Sequence, residues 1–203
     1  MLDFLTLTLY HISNALLVPV ILTILGMLAW TALLLGGFLR EWIARRKLTP
    51  LMTAAVAAAR EGKDTEAIWI LVAEAPSGLP ARFARFVAGS SETRVMEQGL
   101  TEIENDVAAS VARHSFITRV APILGLMGTL IPLGPALSGL ANGNMAALSG
   151  NLIVAFTATV VGLLISGVAY GMGLARRTWY SRDLSSLEFI VDAITAREGV
   201  PNA

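Results

Sequence analysis

Hydrophobic residues in this chain gather into two long tracts rather than alternating with polar ones. Ile12 to Leu39 contains no Asp, Glu, Lys, Arg or His, and neither does Val120 to Ala175. One helix needs roughly 20 apolar residues to cross about 30 Å of hydrocarbon. The first tract holds one such span. The second holds two, because its middle, Ala141 to Asn151, is a polar, glycine-containing stretch of the kind that turns a chain. The pattern predicts an all-α integral membrane protein. It has an outer segment at 1–11 and spans at 12–39, 116–140 and 152–175, the last two joined by a loop at 141–151. A cleaved signal peptide fits the first tract poorly. Asp3 is the only charge before it, and the tract exceeds the roughly 7–15 apolar residues of a secretory core.

Between and after the tracts the period shortens to that of surface helices. Leu48 to Arg60 is alanine-rich, and Thr49-Pro50 reads as its start, with threonine as cap and proline in the first turn. Glu61 to Asp64 reads as a turn, Thr65 to Ala75 as a helix closed by Pro76 to Pro80, and 81–88 as a short helix. Ser91 then opens a longer helix. Met96, Leu100, Ile103 and Val107 form its apolar stripe, with Glu97, Glu102, Glu104 and Asp106 on the wetter side. No breaker separates this helix from the second span, so the two read as one continuous rod. The tail at 176–203 is amphipathic through Leu187, Ile190, Val191 and Ile194.

Charge sets the expected orientation. Arg40, Arg45, Arg46 and Lys47 follow the first span, Arg113 and Arg119 precede the second, and Arg176, Arg177 and Arg182 follow the third. The N-terminal segment and the 141–151 loop carry no Lys or Arg. By the positive-inside rule those two face outward, and 40–115 and 176–203 face the cytoplasm. Charged residues are 15% of the chain, against about 25% in a soluble domain, and the formal net charge is zero. Nucleic-acid binding through bulk basicity is thereby excluded. The absence of cysteine excludes disulfides and thiolate chemistry.

Candidate chemistry lies in the second and third spans, which are small and polar where lipid alone favours Leu and Ile. Thr159, Gly162, Ser166, Ala169 and Gly173 recur at steps of three and four. Gly125, Thr129, Pro132 and Ala136 do the same on the second span, and Thr157 adds a further hydroxyl. Helix packing alone explains such stripes. A pore wall explains them too, since hydroxyls can bond water or a carboxylic acid without an intramembrane charge. Pro132 and Pro135, within one turn, should bend the outer half of the second span and free carbonyls there. The kink either shapes packing or opens a cavity, and Pro122 is a further shaping residue of the span. Arg119 stands at its cytoplasmic mouth, either as an anchor or as an ion-attracting charge. His11 and His114 fall at opposite predicted membrane faces, so no metal pair is expected. No nucleophile elbow or phosphate-binding loop is present, and no enzymatic reading has residues to rest on.

Ala121-Pro-Ile-Leu-Gly-Leu-Met-Gly-Thr129 resembles the second-span signature of the MotA/TolQ/ExbB proton-channel family. Ala158-Thr159-Val-Val-Gly162-Leu is similar to the third-span motif of its TolQ and ExbB branch. The three-span layout favours that branch over the four-span MotA branch. The resemblance implies an inner-membrane homo-oligomer, a pentamer, whose second and third spans line a lumen. It also implies an ExbD/TolR-like single-span partner with an intramembrane Asp, which Thr129 and Thr159 would face. No cofactor is implied beyond a proton or sodium gradient, whose flow drives mechanical work outside the membrane. One departure stands out: the branch often carries Glu where this chain has Val154. A non-conducting oligomeric scaffold is therefore the competing expectation, and a flagellar-type stator a further one.

Overall fold

The computed structural model describes residues 1–75, 78–87 and 92–198, and all secondary structure among them is helical. The helices are α1 (Leu2–Ala15), α2 (Leu17–Glu61), α3 (Thr65–Ala73), α4 (Gly78–Val87), α5 (Thr93–Ala141) and α6 (Met145–Glu198). Three helical stretches are long and apolar enough to cross a membrane: Thr8–Glu61, Thr93–Ala141 and Met145–Arg197. The expected all-α architecture holds, and α5 runs unbroken from the charged segment through the second span. The expected helix opening at Ser91 and the closing Pro76-Ser77 lie outside the described residues.

The chain divides into two compact units. One comprises Met1–Leu35 and Arg113–Met172, the other Gly36–Ala112 and Gly173–Ala203. The first unit is the apolar one. Its core joins Val20, Ile24 and Met27 of α2, Ile117, Ala121 and Ile131 of α5, and Ala158, Ile165 and Ala169 of α6. Its outward faces are lined with exposed Leu, Ile, Val and Phe, among them Leu22, Leu33, Leu126, Leu130, Phe156 and Leu163. That inversion of the soluble pattern suits a hydrocarbon solvent. Between α1 and α2 the chain turns at Leu16, where Pro19 has no N–H to offer the Ala15 carbonyl.

The second unit has a conventional core. Leu48, Met52, Ala55 and Ala59 of α2, Ile68 and Val72 of α3, Phe83 of α4, Met96 and Ile103 of α5, and Leu187, Ile190 and Ile194 of α6 are all buried together. Trp69 packs on Phe83 with ring centroids 5.7 Å apart. The predicted turn at Glu61–Asp64 is present, with Gly62 at φ +80° where a side chain would be strained. Arg197 of α6 caps the end of α2, donating to the carbonyls of Lys63 (2.7 Å) and Ala59 (2.5 Å).

Two local expectations change. Pro50 does not begin a helix; it lies inside α2. An interior proline costs about 3 kcal/mol locally. Here the buried row Leu48, Met52, Ala55 and Ala59 continues across it and supplies more than that through packing. The expected 141–151 loop contracts to a turn at Asn142–Asn144, and 145–151 is already helical. Gly143 takes φ +71°. Asn144 then caps α6, its Oδ1 accepting the Ala147 N–H at 3.0 Å.

Candidate functional site

The two spans that carry the sequence motifs meet in a seam built on glycine. A Cβ added at Gly162 would stand 2.8 Å from the Ala121 carbonyl oxygen and 3.0 Å from the Gly125 Cα. A Cβ at Gly125 would lie 3.3 Å from the Ala158 oxygen and 3.5 Å from the Thr159 Cα, and one at Gly128 would lie 2.5 Å from the Ala158 Cβ. Backbone therefore lies on backbone from Ala121 to Gly125 along α5 and from Ala158 to Gly162 along α6, with the Ala158 methyl seated against Gly128, as small residues permit in membranes.

Below the glycines the seam closes with a hydrogen bond that a proline makes necessary. Pro122 has no N–H, so the Thr118 carbonyl lacks its usual donor four residues on. Ser166 Oγ of α6 donates to that carbonyl at 2.8 Å. Gly125, Gly162 and Ser166, candidates for packing or for a pore wall, pack α5 against α6 within one chain. Pro132 is fully buried and Pro135 half-buried, and α5 stays helical through both.

The threonines sit differently. Thr129 and Thr159 are half-buried beside the seam. Thr129 Oγ1 donates to the Leu126 carbonyl at 2.7 Å, while Thr159 Oγ1 reaches the Ala155 carbonyl only at 3.5 Å. A hydroxyl that donates to its own helix keeps its lone pairs, so it can still accept from a protonated acid or water. Thr157 is exposed, donates to Ile153, and lines an apolar recess of about 270 Å³ with Val154 and with Ile21, Ile24 and Leu25 of α2. Arg119 is exposed at the start of the second tract. A polar group in the apolar unit that was not foreseen is Thr31 of α2, which is buried with no hydrogen-bond partner for its hydroxyl. A threonine inside an apolar run gives no hint of this, because back-bonding to its own helix is the default.

The model of the MotA/TolQ/ExbB proton channel family matches residues 84–187, just over half of the chain and both motif-bearing spans. The chain belongs to that family. A search of curated proteins finds no match. The MotA/TolQ/ExbB assignment makes this a multi-pass membrane protein of a channel family rather than of an enzyme family. Within it, the matched region contributes no acidic, basic or imidazole side chain between Val120 and Ala175.

The second unit holds a polar cluster that sequence reading treated only as anchoring charge. Arg45 forms a two-pronged pair with Asp183 (3.1 and 2.6 Å). Arg176 donates to Glu41 at 3.0 Å, and the Tyr180 hydroxyl donates to the same carboxylate at 3.2 Å. Arg45 also lies over the Trp179 ring at 4.8 Å, and Trp179 stacks on Phe38. Burial raises the Asp183 carboxyl above the usual range, outweighing the lowering pull of Arg45. Burial, then the negative charge of Glu41, push the Tyr180 hydroxyl up to about 12. Glu41 and Arg45 stand one turn apart on α2, and their partners on α6 carry no local sequence signal.

Proposed function

We propose that this chain is the ring-forming subunit of a TolQ/ExbB-like ion-driven stator in the cell's inner membrane, with its N-terminus outside. Five copies enclose an ExbD/TolR-like single-span partner whose intramembrane Asp carries the proton. Thr129 and Thr159 receive that Asp in its protonated form, and proton flow turns one component against the other to do work outside the membrane. The observation that carries this reading is the absence of any acidic, basic or imidazole side chain from 120–175 in a chain of a proton-channel family. A proton relay through hydrocarbon needs a group that exchanges protons, and hydroxyls alone do not at neutral pH. The acid therefore comes from another chain. The loosely held Thr159 hydroxyl supports its placement on the Asp's path.

The test is proton uptake into vesicles holding the complex purified from its host's membranes. Thr129→Val and Thr159→Val keep side-chain shape and remove the hydroxyl. Each should lower flux about tenfold, the effect of one lost hydrogen bond of about 1.4 kcal/mol, with the assembly's mass unchanged. Undiminished flux in the double variant overturns the role given to the threonines. The scaffold reading draws on the glycine seam, which packs helices without any call for a pore. It prevails if native mass spectrometry finds a ring with no Asp-bearing partner and the ring passes no protons.

A further inference from the structure

We propose that a cleft in the second unit binds the headgroup of an acidic, hydroxyl-bearing phospholipid of the phosphatidylglycerol kind. The cleft encloses about 860 Å³ and is walled by Arg40, Glu41, Arg82, Arg85, Arg176 and Tyr180; the rest of its lining is glycine, alanine and one leucine. Four guanidiniums around one cleft need either carboxylates or an anion. Arg176 is held by Glu41 and Arg82 by Asp106. Among the described residues no carboxylate pairs with Arg40 or Arg85; the Arg85 Nε is turned to the Ala81 carbonyl at 3.2 Å. The cleft thus keeps a surplus of two positive charges beside small side chains that leave room for a ligand. Forked guanidinium donors match phosphate oxygens, and a cleft lined by one sign of charge concentrates the opposite ion.

Two further observations select a lipid headgroup over other anions. Arg40 is the first charged residue after the tract ending at Leu39, and Arg176 the first after the tract ending at Ala175. Half of the cleft's arginines therefore stand where the hydrocarbon-matched sequence stops, which is headgroup depth. Glu41, lining the same cleft, keeps its Oε1 buried without a hydrogen-bond donor. A glycerol headgroup brings both a phosphate for Arg40 and Arg85 and hydroxyls that can donate to that oxygen. Phosphatidylcholine brings the phosphate with a cation attached and no donor. The proposal goes beyond the stator reading and does not depend on ion conduction.

The test is lipid retention by the full-length chain, purified and delipidated, measured by native mass spectrometry with added phosphatidylglycerol or phosphatidylcholine. Phosphatidylglycerol is expected to bind about tenfold more tightly, the effect of one or two charge-assisted hydrogen bonds. The Arg40→Gln/Arg85→Gln double variant should bind the two lipids within about twofold of each other, while Arg94→Gln, on the exposed start of α5, keeps the preference. Arg40→Lys, which retains charge and loses the fork, serves if the double variant does not fold, and should lose part of the preference. Equal retention of both lipids by the unaltered chain, or an undiminished preference in the arginine variants, overturns the site. Displacement of phosphatidylglycerol by inorganic phosphate alone also overturns it, assigning the cleft to a soluble anion.

Discussion

The two units solve the same problem, holding helices together, with opposite materials. In Met1–Leu35 and Arg113–Met172, a small apolar core is joined by a seam from which side chains are removed: Gly125 and Gly162 let backbones touch, and Gly128 makes room for the Ala158 methyl. In Gly36–Ala112 and Gly173–Ala203, contact is made by adding them: a buried apolar core plus ion pairs from Arg45 and Arg176. The difference follows from solvent. Lipid tails are as apolar as leucine, so burying leucine between spans gains little, and close van der Waals approach must do the holding. Next to water, apolar burial is worth about 25 cal/mol per Å², and side chains are the means to it.

The contrast breaks most sharply at Asp183. Replacing it by Ala leaves the Arg45 guanidinium buried with its nearest remaining carboxylate oxygen, on Glu41, 3.9 Å away. Loss of one partner of a buried pair costs about 3–5 kcal/mol. Hydrogen exchange should show protection falling within 36–112 and 173–198 and holding within 113–172; a uniform loss would mean the units do not differ as described. Next in size is Gly162→Ala in the apolar unit. One methyl pressed against backbone should cost about 2 kcal/mol in detergent melts. Gly167→Ala, with nothing within 4 Å of its Cβ position, should change stability by less than about 0.5 kcal/mol. Equal effects of the two would remove the seam from the account. The smallest effect is alkaline. The fold raises Tyr180, so its contribution is present below pH 10 and is lost as pH rises from there to about 12. Melts of Tyr180→Phe should lack that part of the alkaline decline.

The spans were legible because hydrocarbon imposes a length and forbids charge, and both can be counted along the chain. The stripes Met96/Ile103 and Leu187/Ile190/Ile194 were legible through their period, and all five residues are buried. Pro50 misled because its local penalty is visible in the sequence, whereas the burial that outweighs it comes from α3, α4 and α6. Asn144 could have been read as a cap; the polar stretch around it obscured the signal. Within the site, the small-residue stripe was apparent, but its use was not. Ser166 meets Thr118 across 48 residues and Arg45 meets Asp183 across 138. Period and composition carry no information about pairing at such separations.

The bond from Ser166 to the Thr118 carbonyl also gives the lineage of this protein a direction in time. If position 122 first drifts away from proline, the restored N–H supplies the carbonyl from within its own helix, and Ser166 becomes free to change. If the serine goes first, the carbonyl is stranded at a cost of about 1–3 kcal/mol while the proline still blocks its replacement. One order of events is open and the other is a valley. Among descendants of such a chain, proline without serine should be the rare combination, and serine without proline the common trace of a path half travelled.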